Sequence, residues 1–80
     1  MTGTYHITAV VAHRRHRQRW QIVGYDDLER RMEWYTTNAW RATLLDQARH
    51  LRRPVVVRWQ DVWWGSEVTD VAFADAQGAA

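Results

Sequence analysis

Residues 37–59 read TNAWRATLLDQARHLRRPVVVRW, and a change of period inside this stretch decides the fold class. Trp40, Leu44, Leu45, Ala48 and Leu51 fall at i, i+4, i+5, i+8 and i+11, while Arg41, Asp46, Gln47, Arg49 and Arg52 take the other side. That is the spacing of an amphipathic helix. Thr37 or Asn38 can cap its start, Arg49, His50, Arg52 and Arg53 complement the dipole at its end, and Pro54, the only proline, stops it. Val55 to Gln60 then turns β-branched, which predicts a strand immediately after the helix.

Working outward, the period on both flanks is two. Tyr5 to Ala12 reads as a first strand with Tyr5, Ile7, Ala9 and Val11 on one face and His6, Thr8 and Val10 on the other. Trp20 to Tyr25 reads as a second, with Trp20 and Ile22 sharing a face, and the two make an antiparallel hairpin. A polar interruption, Asp26 to Arg30, precedes a third strand from Arg31 to Thr37, in which Met32 and Trp34 face inward and Tyr35 outward. Beyond Gln60, Trp63 to Ser66 holds a glycine turn, and Glu67 to Phe73 alternates Val68, Asp70 and Ala72 against Thr69, Val71 and Phe73. Residues 1–74 therefore read as one domain of mainly β (α+β) class, and Asp75 to Ala80, small and polar, as a flexible C-terminal tail.

Size and composition bound the rest. A chain of 80 residues is one domain that buries only about 60 to 65% of its unfolded surface, too small for a catalytic cleft between domains. No stretch approaches the roughly 18 apolar residues of a membrane span. Met1 to Tyr5 lacks the pattern of a secretory signal and there is no cysteine, so a soluble, cytoplasmic protein is expected, with no membrane partner. The net charge of +2 is unevenly spread: residues 1–25 carry four Arg and no acid, while the remainder carries seven Arg and nine acids. All eleven basic residues are Arg, which suits bidentate phosphate contacts and is equally the product of GC-rich codons.

The first four arginines, Arg14, Arg15, Arg17 and Arg19, fall in the run from His13 to Trp20, between two strands, and so at a hairpin tip. Guanidinium groups ending on an indole suit a nucleic acid strand, and exposed tips carry function more often than strands do. A solvated, solubilising turn is the other reading of the same run. Six tryptophans in 80 residues are too many to leave in water; half or more are expected in the core. Trp63 and Trp64 are adjacent, and neighbours on an extended chain face opposite ways, so at most one is easily core. The other stacks on a base, or both plug an open barrel end. On the outer helix face, Arg41, Arg49, Arg52 and Arg53 read as solvated or dipole-complementing.

No enzyme and no cofactor is expected. Asp26 and Asp27 diverge in extended chain, and there is no phosphate loop or nucleophile elbow. His13 and His16 sit among arginines that repel a cation, and structural zinc has no cysteine to use, so no metal is expected.

Three strands, a helix and two strands is the element order of the OB-fold, the small five-stranded Greek-key barrel with its helix between strands three and four. From about Gly3 to Phe73 the chain resembles the OB-fold nucleic-acid-binding domain superfamily. Locally the likeness is carried by Pro54, Val55, Val56, Val57, Arg58 and Trp59, and by Ser66, Glu67, Val68, Thr69, Asp70 and Val71. The departure is the second turn, where Asp26 to Arg30 replaces a tight glycine turn. The resemblance implies a ligand face across strands two and three, bordered by the first and last hairpin loops. It points to non-specific binding of a single strand, DNA ahead of RNA, by Arg14, Arg15, Arg17, Arg19, Trp20, Tyr35, Arg58, Trp63 and Trp64. A protein partner or a homo-oligomer held by the same Trp and Arg surface is the alternative, since these residue types also dominate interface hot spots.

Overall fold

The computed structural model describes residues 1–75 except Arg14, His16 and Arg17. Its elements are β1 (Thr2–Ala12), β2 (Trp20–Tyr25), β3 (Arg31–Thr36), α1 (Ala39–Leu51), β4 (Val55–Val62) and β5 (Gly65–Phe73). The strands close in the order β1-β2-β3-β5-β4, with α1 between β3 and β4, a five-stranded OB-like barrel. All neighbours are antiparallel except β3 and β5, which meet in parallel at Tyr35 and Glu67.

The strand β1 begins three residues before the sequence pattern does, because Thr2 to Tyr5 pair with Val55 to Arg58 of β4 while His6 to Ala12 pair with β2. One strand thus serves two neighbours, and a bend between the halves is required. It is supplied by a bulge: Ile7 faces Gly24 and Ala9 faces Val23, leaving Thr8 unpaired in the ladder, its hydroxyl donating to the Val23 carbonyl (3.3 Å). The single strict alternation expected along β1 is therefore corrected. Tyr5 and Ile7 share a face as read, and it points inward, but past the bulge Val10 joins them against the core and Val11 faces solvent. The same device recurs in β5. Arg58 pairs with Asp70 and Trp59 with Val68, so Thr69 is the extra residue, and its hydroxyl donates to the Arg58 carbonyl (3.2 Å). Val68 thereby shares the interior with Val71 and Phe73, residues that uniform alternation puts on opposite faces.

The core consists of Ile7, Ile22, Trp34, Leu45, Ala48, Val55, Val57, Trp59 and Val68. Trp34 is its centre, edge-on to Tyr5 (centroids 4.6 Å, 80°) and to Trp59 (5.8 Å, 66°). Gly24 makes room for it: a side chain there would meet the Trp34 ring at 3.1 Å. The Trp34 indole N–H is buried without a hydrogen-bond partner among the described residues. The three rings fill the barrel axis, which a five-stranded barrel is narrow enough to require.

Asn38, of the two candidates, caps the helix, its Oδ1 accepting from the Arg41 N–H (3.0 Å). At the other end Arg52 takes a left-handed conformation (φ 54°), and the N–H groups of Arg52 and Arg53 return to the carbonyls of Arg49 and Ala48 before Pro54 breaks the chain. The face the helix buries differs from the one its large apolar residues predict. Ala42, Leu45 and Ala48 are buried, whereas Trp40 is 74% and Leu51 59% exposed. The two alanines let the helix axis approach the barrel end closely, and only the narrow stripe they share with Leu45 fits beneath it.

The turn from β2 to β3 is organised by Asp26. Its carboxylate accepts from the backbone N–H of Leu28 (3.0 Å) and Arg30 (2.8 Å) and from the Arg30 Nε (2.7 Å). These bonds replace the tight glycine turn, and β2 and β3 stay in unbroken register from Trp20 with Thr36 to Tyr25 with Arg31. At the end of β5 the Ala74 N–H donates to Pro54 (3.1 Å), and both Asp75 oxygens accept from Arg53 (2.6 and 2.7 Å). Asp75, the first residue of the expected tail, is thus tied to Arg53; the remainder of that tail, 76–80, lies outside the described residues.

Candidate nucleic-acid interface

Gly65 is the residue on which the last hairpin turns. Val62 pairs with Gly65 across a two-residue turn formed by Trp63 and Trp64, and Gly65 has φ 142°, a conformation that favours glycine. Below the turn the Ser66 hydroxyl donates to Asp61 (2.8 Å), bracing the strands. The two indoles part company here. Trp63 stands 95% exposed, while Trp64 folds back over the outer face of β3 and meets Tyr35 edge-on (5.8 Å, 71°). Neither plugs the barrel. A Cβ on Gly65 would lie 3.4 Å from the Tyr35 ring, so backbone, ring and indole are in close contact.

The first hairpin loop reaches the same place. The His13 N–H donates to the Arg19 carbonyl (2.8 Å), closing the loop at its base, and Gln18 takes φ 63° just before it. The Arg19 guanidinium carbon lies 4.4 Å from the centroid of the Trp64 ring. A cation over an indole face is worth about 0.5 to 2 kcal/mol, and it leaves guanidinium N–H groups to face an anion. Arg15 is exposed further out on the loop; Arg14 and Arg17, with His16, fall outside the described residues.

Of the nine residues expected at the site, Trp64 is thus in contact with both Arg19 and Tyr35, with Trp63 beside it in the turn and Arg15 on the neighbouring loop. Two do not join. Trp20 alternates with Gln21 and so shares the inward side of β2 with Ile22; it lines a cleft with Val10, Ala12, Ala39, Ala42, Thr43, Asp46 and Arg49, under the helix. Arg58 is exposed on β4, paired with Asp70 and Thr2, and β4 neighbours neither β2 nor β3 in the closed order. The strand reading placed Trp34 inside and Tyr35 outside, and that facing is observed.

The outer face of β2 and β3 continues away from this cluster as three cross-strand pairs: Gln21 with Tyr35, Val23 with Glu33, and Tyr25 with Arg31. From Tyr35 to Arg31 is four residues, roughly 13 Å of strand. The Gln21 amide donates to Glu33 Oε1, and Arg31 Nη1 lies 3.1 Å from Glu33 Oε2. Sequence reasoning passed over Gln21, Glu33 and Arg31, although the period-2 pattern that turned Tyr35 outward assigns Glu33 and Arg31 to the same face.

Among the described residues no group of His, Asp or Glu is arranged to hold a metal ion, and no helix is long and apolar enough to cross a membrane. Comparison with protein-family models, curated proteins and solved structures finds no match to this chain.

Proposed function

We propose that this protein is an OB-fold module that binds single-stranded nucleic acid, with phosphates held by the arginines of the β1–β2 loop and bases stacked on Trp63, Trp64 and Tyr35. The observation that supports the reading best is the packing of Arg19 over the Trp64 ring and of Trp64 edge-on against Tyr35, because it unites a basic loop, a two-tryptophan turn and a strand face into one surface. An indole left 95% exposed at the edge of that surface is costly in water and useful to a base. Affinity then comes from charge and stacking, which every strand offers.

The test is tryptophan fluorescence titration with short thymidine and uridine oligonucleotides. If Arg14, Arg15, Arg17 and Arg19 each neutralise a phosphate, the salt slope is about −0.7 per contact, so binding weakens roughly fifty-fold between about 50 and 200 mM salt. Replacing all four by alanine removes most of that slope. Trp63→Ala, which removes one stacking platform worth about 1 to 3 kcal/mol, weakens binding about 5- to 150-fold. Absence of saturable quenching at low salt overturns the reading.

A second reading, a protein-interaction module, is favoured by a different feature. Trp40 and Leu51 stand exposed on one side of α1, an element that takes no part in the Arg19–Trp64–Tyr35 cluster. A solution mass well above 9.5 kDa that falls to the monomer value in Trp40→Ala supports that reading.

A further inference from the structure

Resting on the strand-binding reading, we infer that Glu33 makes this face selective for guanine at one position. A carboxylate in the middle of a surface meant for a polyanion needs a reason to be there. Glu33 lies two residues from Tyr35 on the same face of β3, about 7 Å along the strand, with its side chain 32% exposed. A base stacked at the Tyr35–Trp64 platform, or the next base along, brings its hydrogen-bonding edge over this carboxylate.

What Glu33 can accept follows from its chemistry. An ionised carboxylate is acceptor-only, with about two lone-pair sites on each oxygen. Arg31 takes one site on Oε2 and Gln21 lies against Oε1, which leaves acceptor capacity on both oxygens. Two adjacent acceptors match two adjacent donors. Guanine presents that pair, N1–H beside the N2 amino group, on its Watson–Crick edge. Cytosine and adenine offer one amino group next to a ring nitrogen that is itself an acceptor, and thymine or uracil a single N–H between two carbonyls. Bases unstacked from a single strand are read on these edges. The arrangement thus adds one preference to a site that is otherwise tolerant, while the negative charge keeps phosphates toward the arginine loop.

The experiment compares a thymidine nonamer with the same strand carrying one central deoxyguanosine, deoxyinosine, deoxycytidine or deoxyadenosine, all at one salt concentration. Two parallel hydrogen bonds to a base discriminate by about 1 to 3 kcal/mol, so the deoxyguanosine strand binds about 5- to 150-fold tighter than the thymidine strand. Deoxyinosine, which lacks the N2 amino group, loses most of that gain. Glu33→Gln abolishes the preference, so that its deoxyguanosine and thymidine strands bind alike. Equal binding of all five strands, with the salt slope and the Trp63→Ala effect intact, overturns the Glu33 inference alone. Absence of binding by every strand overturns it together with the strand-binding reading.

Discussion

Asp26 shows how one side chain can settle a turn that the sequence leaves open. The backbone N–H of Arg30, above all, holds its carboxyl below the usual carboxylate range, aided by the Arg30 side chain and the Leu28 N–H and opposed by some loss of hydration. A group that binds its proton less tightly folded than unfolded stabilises the fold above its unfolded pKa and ceases to do so as pH falls through the folded value. The melting temperature of Asp26→Ala should therefore lie below that of the wild type by a constant margin above about pH 5, and the margin should shrink as pH falls from about 4 toward 2. Thermal melts across that range check it, and a margin unchanged at the acid end argues against a role for the charge. The pair Asp26 and Arg30 was visible in the sequence only as a polar interruption; the five-residue Asx-type turn it builds depends on bonds to backbone groups, which residue types alone do not reveal.

Elements were legible where hydrophobic period and local punctuation agree, and illegible where one residue changes the count. The helix stop at Pro54 and the β-branched β4 follow from local chemistry, and both are observed. The inward sets of β1 and β5 do not, because Thr8 and Thr69 are ordinary strand residues by type and nothing in the sequence marks them as extra. The helix misleads for a related reason: Trp40 and Leu51 dominate a hydrophobic count, but the barrel end accepts only the stripe through Ala42, Leu45 and Ala48. Two perturbations separate these contributions. Thr69→Ala loses one exposed hydroxyl bond and should cost about 0.5 to 1.5 kcal/mol. Deleting Thr69 removes the bulge residue and leaves Val68, Asp70, Val71, Ala72 and Phe73 in plain alternation, so that Val68, Val71 and Phe73 keep their inward face. The deletion variant should therefore denature cooperatively in urea, as Thr69→Ala does; loss of cooperativity on deletion would show that the bend made by the bulge, and not only the inward set, is needed to close the barrel.

At the scale of the whole molecule, the barrel is closed unevenly. β4 pairs with β5 along nearly its whole length, and β1 with β2 over six register pairs, whereas β3 and β5 meet in parallel at Tyr35 and Glu67. Amide hydrogen exchange should accordingly be faster around Tyr35 and Glu67 than in the β1–β2 hairpin; equal protection in both places counts against a weak seam. Much of the candidate surface was within reach of the sequence: Arg19, the paired tryptophans and the outward Tyr35 were all read from it. The contact of Arg19 with Trp64, and the exclusion of Trp20 and Arg58, required the closed strand order, which brings the first and last loops together and sets β4 apart from β2 and β3.

The place of Tyr35 in that closure has a thermodynamic corollary. The residue that lies at the seam is the one on which Trp64 rests, so a strand running from the β2–β3 face onto the two-tryptophan turn would bridge the two halves of the barrel. Its grip would act as a clasp, and by linkage the barrel would be hardest to open when it is occupied.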